Sequence, residues 1–296
     1  MFSFKQYLLE GGKATLSQGT VRANKQDILD VLEKLAPILD ISAEELQEHL
    51  VGSTVLTVSG SQEDSGDIDL ILDKNLVDTD DLVKKLTNEL NNTPRKIGSS
   101  VFSFAVEIGD KKVQLDVMFV SDLDWAKFSY HADPESKYKS GVRNELLHAI
   151  LKNSLKRGSD LIVKDGDGNV IAKAVKSFHL DHGIKRIFKM ADERIDGEGF
   201  VKSLSPVHPE KIKEFLADNG DTSEFSEDEE LIQDPNIFAS MLFDESVTAD
   251  DLSSTEKIIK LINEKRADKA EVIFKDAIAG MKRRKFDIPE ELSQYD

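Results

Sequence analysis

The chain has 296 residues, with 56 acidic against 39 basic side chains and a formal net charge of −17. This balance argues against nonspecific binding along duplex DNA, which needs many lysine or arginine contacts to phosphate, and the absence of cysteine excludes disulfides and thiolate metal sites. No apolar run approaches the roughly 18 to 20 residues that a membrane helix needs, so we expect a soluble protein without a membrane partner.

The first predicted unit is a short N-terminal segment, residues 1–19, in which Gly11-Gly12 ends an aromatic and apolar head. The head finishes in Leu8-Leu9-Glu10, and it resembles the capsid-targeting peptides of large tailed phages, which a prohead protease cuts after Leu-x-Glu. The resemblance implies cleavage after Glu10 and packaging in the phage head. An N-terminal amphipathic helix that docks on the body of the protein is the alternative interpretation.

Helical and strand patterns alternate in the next hundred residues. Apolar residues recur at three-to-four spacing in the predicted helices, which cover residues 26–39, 43–49 and 82–90. Apolar runs predict strands at residues 68–72, 101–108 and 113–120. Gly109-Asp110-Lys111 joins the last two strands, which predicts a hairpin.

Two Gly-Ser pairs, Gly52-Ser53 and Gly60-Ser61, precede the strand at 68–72. A glycine lets backbone N–H groups and a neighbouring hydroxyl approach a phosphate closely. Ser53 lies 14 residues before Asp67 and Ser61 lies 6 before it. Either pair could serve a phosphate, and the residues alone do not choose between them.

Asp67 and Asp69 lie two residues apart at the strand predicted for 68–72, so their carboxylates project from the same face. This spacing suits a hard divalent cation such as Mg²⁺, which prefers oxygen ligands and keeps positions open for water and substrate phosphates. Asp116 supplies a third carboxylate from an apolar strand, where an acid is hard to explain as packing because a buried unpaired carboxylate is costly. The three residues form a candidate metal site.

The order of these elements resembles the DNA polymerase β-type nucleotidyltransferase superfamily. The similar residues are a Gly-Ser pair, the motif Ser65-Gly66-Asp67-Ile68-Asp69, and Asp116 on a later strand. The similarity spans residues 50–120, and the N-terminal head favours a tailed-phage member. It implies an α/β (α+β) fold with a mixed sheet, two Mg²⁺ ions, for which Mn²⁺ can substitute, and transfer of a nucleoside monophosphate from a nucleoside triphosphate such as ATP.

The resemblance also implies roles for single residues. Asp67 and Asp69 would bridge both ions, and Asp116 would hold the ion that activates the attacking hydroxyl. The usual Gly-Ser spacing of the family lies between the two spacings found in this chain. The residues assigned to the nucleotide are Gly52, Ser53 and Ser65, with Gly60 and Ser61 as the alternative pair.

Basic groups are needed to neutralise the β and γ phosphates of such a substrate. Residues 137–143 open a predicted helix at 141–155 and contain Lys139 and Arg143, which are our candidates. These two side chains lie one helical turn apart, so an exposed basic helix face is the alternative interpretation.

The last third of the chain changes character. Residues 217–251 contain 12 acidic side chains and no lysine or arginine, which indicates a solvated acidic region around short helices. Residues 254–286 have a helical pattern that ends in the basic run 282–285, which either contacts RNA or caps a helix. Before this region, residues 165–168 predict a hairpin turn. We therefore expect a catalytic domain at residues 20–195 and a mostly helical C-terminal domain at 196–296.

The expected function is metal-dependent transfer of a nucleoside monophosphate to a hydroxyl on an RNA or tRNA end, a protein or a small molecule. The expected place of action is the cytoplasm of a host bacterium. Two alternatives stay open. One is a noncatalytic internal head protein of a phage, in which the carboxylates only bind ions. The other is a toxin-like enzyme that nucleotidylylates a host protein.

Overall fold

The computed structural model describes residues 14–98, 100–154, 162–164, 170–180, 183–191, 204–207 and 232–296. Three sequence predictions lie outside these residues: the N-terminal head with its cleavage site at Glu10, the turn at 165–168, and the domain boundary near residue 195. Residues 217–231 of the predicted acidic region at 217–251 lie outside them as well. Among the described helices, none combines the length and the apolar character needed to cross a bilayer.

Four helices precede or flank the central sheet, and capping side chains set the starts of three of them. They are α1 (Lys25–Leu39), α2 (Ala43–Glu48), α3 (Ser53–Ser59) and α4 (Thr79–Glu89). Asn24 and Asp27 form a reciprocal capping box at the start of α1. Asp78 caps α4, so this helix begins before Leu82, where the apolar periodicity first becomes visible. The three helices predicted in this region are confirmed, and α3 is additional.

The central sheet is mixed, as the fold class predicts. Its strands are β1 (Thr20–Val21), β4 (Ile68–Asp73), β5 (Arg95–Ile97), β6 (Val101–Ile108) and β7 (Lys111–Val120). Strand β7 pairs antiparallel with β6 through the predicted hairpin, and β5 continues the sheet beyond β6. On its other edge, β7 pairs in parallel with β1 and β4. A two-stranded ribbon, β2 (Ala23–Asn24) with β3 (Asp64–Ser65), lies beside it.

The two faces of this sheet bury different clusters. One face packs against α1 and contributes side chains such as Leu70, Leu115 and Val117. The other face contributes Ile71 and Met118 to a second cluster, which extends through α5 (Leu123–Ser129) and α6 (Ser140–Ser154) to the C-terminal helices. These helices are α7 (Pro235–Leu242), α8 (Thr255–Lys265) and α9 (Ala270–Arg284).

A second, antiparallel sheet follows α6 in the chain. Its strands are β8 (Ile162–Lys164), β9 (Val170–His179), β10 (Gly183–Ala191) and β11 (Leu204–Val207), in the order β11-β10-β9-β8. The sequence predicted the pairing of β8 with β9 but not the two later strands. Residues 232–296 are mainly helical, as expected, although β11 is a strand within the predicted C-terminal domain.

Helix α9 packs closely on α6 at a buried ion pair. The Nε of Arg284 lies 2.8 Å from Oε1 of Glu145, and both side chains are largely buried. Gly280 in α9 faces the same carboxylate, and a Cβ at this position would meet the Glu145 side chain, with its Cδ only 2.9 Å away. The contact therefore needs a glycine for close approach of the helices.

Gly280→Ala is expected to lower the free energy of unfolding by roughly 1 to 3 kcal/mol, because the added Cβ displaces a buried ion pair. Urea denaturation followed by circular dichroism measures the change. Val272→Ala, at a position of the same helix that is 55% exposed, is the control and should change stability by less than about 0.5 kcal/mol. A stabilisation of about 1 kcal/mol by Gly280→Ala, as helix propensity alone predicts, would contradict the close-packing argument.

Candidate active site

Three carboxylates meet where β4 and β7 run side by side. The parallel register sets Asp69 opposite Asp116, and Asp67 immediately precedes β4. Asp67, Asp69 and Asp116 each offer one oxygen, and these oxygens lie within 4.8 Å of one another. Asp116 is fully buried, Asp67 is 6% exposed, and Asp69 is partly exposed. The three residues predicted to hold a metal are therefore brought together.

The surroundings of Asp69 and Asp116 disfavour the charged form of both carboxylates. Burial and the neighbouring Asp67 carboxylate raise the pKa of Asp69 well above its usual range. Burial raises the pKa of Asp116 well above its usual range as well. Within the described part of the chain, neither Asp69 nor Asp116 forms a salt bridge to a basic side chain. Carboxylate oxygens are hard donors of the kind that Mg²⁺ and Mn²⁺ prefer.

Gly52 lies directly against this cluster at the start of α3. Its φ of 62° and ψ of −146° are accessible to glycine alone, and a Cβ at this position would lie 2.9 Å from Oδ2 of Asp69. The Gly52 N–H donates to the Tyr130 carbonyl at 3.2 Å. This glycine therefore serves the site by its missing side chain, and its own N–H is already used.

The first turn of α3 ties the carboxylates to the helix. The Thr54 hydroxyl donates to the Asp67 carbonyl at 3.3 Å and accepts from the Asp69 N–H at 2.9 Å. The Ser53 and Ser65 hydroxyls lie 2.6 Å apart. Since Ser65 is fully buried and Ser53 is partly exposed, Ser65 positions Ser53 and is not itself a surface ligand.

The structure separates the two Gly-Ser pairs. Gly52 and Ser53 line a cavity together with Asp67 and Asp69. Gly60 and Ser61 lie at the opposite end of α3, where Gly60 terminates the helix with φ at 85° and Ser61 is exposed. The pair beside the carboxylates is therefore Gly52-Ser53, and the alternative pair lies away from them.

The cavity has a volume of about 540 Å³, and both acidic side chains (Asp67, Asp69 and Asp133) and basic side chains line it. Its basic lining residues are Arg22, Lys137, Lys139 and Lys285. Arg22 is paired with Asp64 at 2.7 Å. The three lysines are exposed and form no ion pair with a described carboxylate. A cavity lined by both acidic and basic side chains can bind a polyanion together with its counter-cation.

C-terminal residues hold the basic loop in place. Glu256, in the first turn of α8, accepts hydrogen bonds from the Lys137 N–H and the Ser136 hydroxyl, both at 2.9 Å. The Tyr138 hydroxyl donates to Glu291 at 2.8 Å. The cavity wall formed by residues 136–139 therefore depends on the C-terminal region.

The predicted phosphate-binding role of Arg143 does not agree with its position. This residue is 1% exposed and does not line the cavity. Its guanidinium donates to the Leu252 carbonyl and to the Asn144 side chain, and it stacks 4.5 Å from the centroid of the Phe128 ring. Burial lowers its pKa to about 9. Arg143 joins α6 to the C-terminal region, whereas Lys139, the other basic candidate, does line the cavity.

Sequence reasoning missed several residues of the cavity. The members of the basic run 282–285 have different partners in the structure. Lys282 pairs with Asp296, Arg284 pairs with Glu145, and of the four residues only Lys285 lines the cavity. Lys285 ends α9 with a φ of 57°, and Phe286, which also lines the cavity, packs on Gly141. Which basic residue lines the cavity depends on where α9 ends, and the charge pattern does not show this.

In the absence of divalent cations, Asp116→Asn is expected to raise the free energy of unfolding near pH 7.5 by roughly 1 to 3 kcal/mol. The substitution removes a buried charge, and the side-chain oxygen that remains can still accept a hydrogen bond from Gln114. Because burial raises the pKa of Asp116, the free energy of unfolding of the wild-type protein falls as pH rises. This loss begins near the unfolded-state pKa of about 3.9 and continues through the folded-state pKa. The advantage of the variant should therefore shrink as pH is lowered through the raised pKa.

Urea denaturation in EDTA over a pH series measures this difference. Asp110→Asn, at an exposed acid in the β6–β7 turn, is the control and should change stability by less than about 0.5 kcal/mol. Equal stability of Asp116→Asn and wild type at every pH would show that the buried carboxylate carries no cost.

Comparisons with known proteins give no family for this chain. A scan against models of protein families finds no match. A search of curated proteins finds none either. The function must therefore be inferred from the geometry and charge of the site itself.

Proposed function

We propose that the protein is a metal-dependent nucleotidyltransferase of the DNA polymerase β type, which transfers a nucleoside monophosphate from a nucleoside triphosphate to a hydroxyl. The observation that carries the proposal is the cluster of Asp67, Asp69 and Asp116, whose oxygens lie within 4.8 Å of one another. Asp67 and Asp69 line the cavity, and Asp116 is buried beside them. The mixed sheet and the Gly-Ser turn beside the cluster agree with the family that the sequence resembles.

The three carboxylates would hold Mg²⁺ or Mn²⁺, since they are hard donors and nothing else in the described part of the chain neutralises Asp69 or Asp116. Bound there, the metal would supply Lewis-acid stabilisation of the charge on the transferred phosphoryl group and activation of the acceptor hydroxyl. Asp116, buried behind Asp67 and Asp69, would fix the deep side of the metal site.

The triphosphate would lie between the α3 turn and the lysines. The first N–H groups of α3 have no partner within the helix, and the Ser53 hydroxyl stands beside them on the cavity wall. The negative charge of the β and γ phosphates would be compensated by three lysines of the cavity lining, Lys137, Lys139 and Lys285. Tyr138 and Phe286 add aromatic surface to the lining, which suits a nucleobase.

The acceptor hydroxyl belongs to an RNA or tRNA end, a host protein or a small molecule. The net charge of −17 disfavours a long duplex, so the acceptor must be recognised near the cavity.

The N-terminal resemblance adds delivery in a phage head as a hypothesis. Mass spectrometry of virions would test it, and finding no copy, or only copies that begin at Met1, would exclude cleavage after Glu10.

With α-labelled nucleoside triphosphates, Mg²⁺ or Mn²⁺ and bacterial lysate, the wild-type protein should transfer label to an acceptor. Asp67→Ala/Asp69→Ala should reduce transfer by more than about a hundredfold, since it removes two ligands of a metal whose stabilisation amounts to several kcal/mol. Asp73→Asn, at the far end of the same strand, is the control and should retain transfer.

The position of the label identifies the acceptor. Label on RNA points to an RNA end, and label on protein favours the toxin-like modifier. An absence of transfer, combined with an absence of metal-dependent nucleotide binding, would reject the enzyme and leave a noncatalytic role such as an internal head protein.

Lys139→Ala and Lys285→Ala should each raise the dissociation constant of a nucleoside triphosphate by about tenfold, because each removes a charge-assisted hydrogen bond. Lys282→Ala is the matched control, since its ammonium pairs with Asp296 outside the cavity. Isothermal titration in the presence of a divalent cation measures the constants. Equal effects of all three substitutions would indicate a general charge effect without a defined phosphate site.

A further inference from the structure

Asp116 is oriented by a neighbour that the family resemblance does not assign. Gln114 precedes it by two residues on β7, so both side chains lie on the same face of the strand. The Nε2 of Gln114 donates to both carboxylate oxygens of Asp116, at 3.1 and 3.0 Å. Both residues are fully buried. This amide is therefore the direct partner of the deepest carboxylate in the cluster.

The opposite end of the same amide is fixed by the N-terminal segment. The Oε1 of Gln114 accepts from the Thr15 N–H and from the Thr15 hydroxyl, both at 3.0 Å. Thr15 is fully buried, and its hydroxyl also lies 3.1 Å from that of Thr20, the first residue of β1. Strand β1 pairs in parallel with the start of β7. Thr15 therefore holds Gln114 from a second direction.

Only one orientation of the amide satisfies both ends. A backbone N–H can only donate, so the atom facing Thr15 must be the oxygen, and a carboxylate can only accept, so the atom facing Asp116 must be the nitrogen. Rotation of the amide by half a turn would place oxygen against oxygen at Asp116. The chain therefore defines this orientation from both sides.

We infer that Gln114 is a positioning residue for Asp116 and that Thr15 holds Gln114 in the orientation required for metal binding. The inference rests on the metal site of the proposed function. A ligating carboxylate loses affinity for its metal when the group that orients it is removed, because the carboxylate must then be ordered at the time of binding. The segment around Thr15 is thereby part of the site, although it does not line the cavity.

The same segment is anchored independently of Gln114. Arg95 donates to the Ala14 carbonyl at 3.2 Å, and the Asn92 side chain donates to that of Gln18 at 2.8 Å. These contacts keep residues 14–18 in place when the Thr15 hydroxyl alone is removed. Thr15→Val therefore tests the hydroxyl without releasing the segment.

Mn²⁺ titration followed by electron paramagnetic resonance, without nucleotide, tests the inference on wild type, Gln114→Met and Thr15→Val. Gln114→Met keeps the length of the side chain but cannot donate to Asp116, and we expect its Mn²⁺ affinity to fall by about 10- to 100-fold. The Mn²⁺ affinity of Thr15→Val should lie between the affinities of this variant and of wild type. Thr20→Val, which removes a hydroxyl bonded to Thr15 and not to Gln114, should bind Mn²⁺ as wild type does.

Thermal unfolding in EDTA is measured for each variant, so that only folded variants are compared. If Gln114→Met does not fold, the Mn²⁺ affinity of Thr15→Val tests the inference. A role limited to packing would lower the unfolding temperature and leave the Mn²⁺ affinity of the folded protein unchanged. Wild-type affinity in folded Gln114→Met, or in folded Thr15→Val, would overturn the inference alone. A wild-type protein that binds no Mn²⁺ would overturn the metal site of the proposed function together with the inference.

Discussion

The parallel pairing of β4 with β7 is the constraint on which the site depends. Its register places Asp69 opposite Asp116, and the pleat directs both side chains to the same face. A slip by one residue would turn one of these carboxylates toward the core beneath α1, where Leu70 and Leu115 are fully buried. The apolar residues on the α1 face therefore fix the position of the acids on the opposite face.

The rest of the cavity is assembled around this pair from distant parts of the chain. The α3 turn approaches Asp69 because Gly52 has no side chain, and the basic loop at 136–139 is held by Glu256 and Glu291. Lys285 enters from the end of α9. Asp67 and Asp69 thus lie at the central sheet, whereas the lysines that line the cavity depend largely on C-terminal contacts. The packing between these two regions therefore sets the size of the cavity.

Much of this arrangement could be predicted from the sequence, because local patterns determine it. Periodicity defined α1 and the β6–β7 hairpin, and the spacing of Asp67, Asp69 and Asp116 identified the carboxylate cluster. The role of Arg143 was wrongly anticipated, since its burial against Leu252 depends on how the C-terminal region packs. The choice between the two Gly-Ser pairs required the direction of α3, and Gln114 could not be recognised because an amide on an apolar strand has no distinctive spacing.

The separation of β4 from β7 along the chain bears on the order in which the site forms. Strands β6 and β7 are joined by a tight turn, whereas α4, β5 and β6 lie between β4 and β7. Closing the longer loop costs more chain entropy, so we expect β4 to dock after the hairpin has formed. Docking then brings the carboxylates together against their mutual repulsion. A cation held by all three carboxylates would bind only after β4 and β7 have paired, and its main kinetic effect would be to slow the separation of β4 from β7.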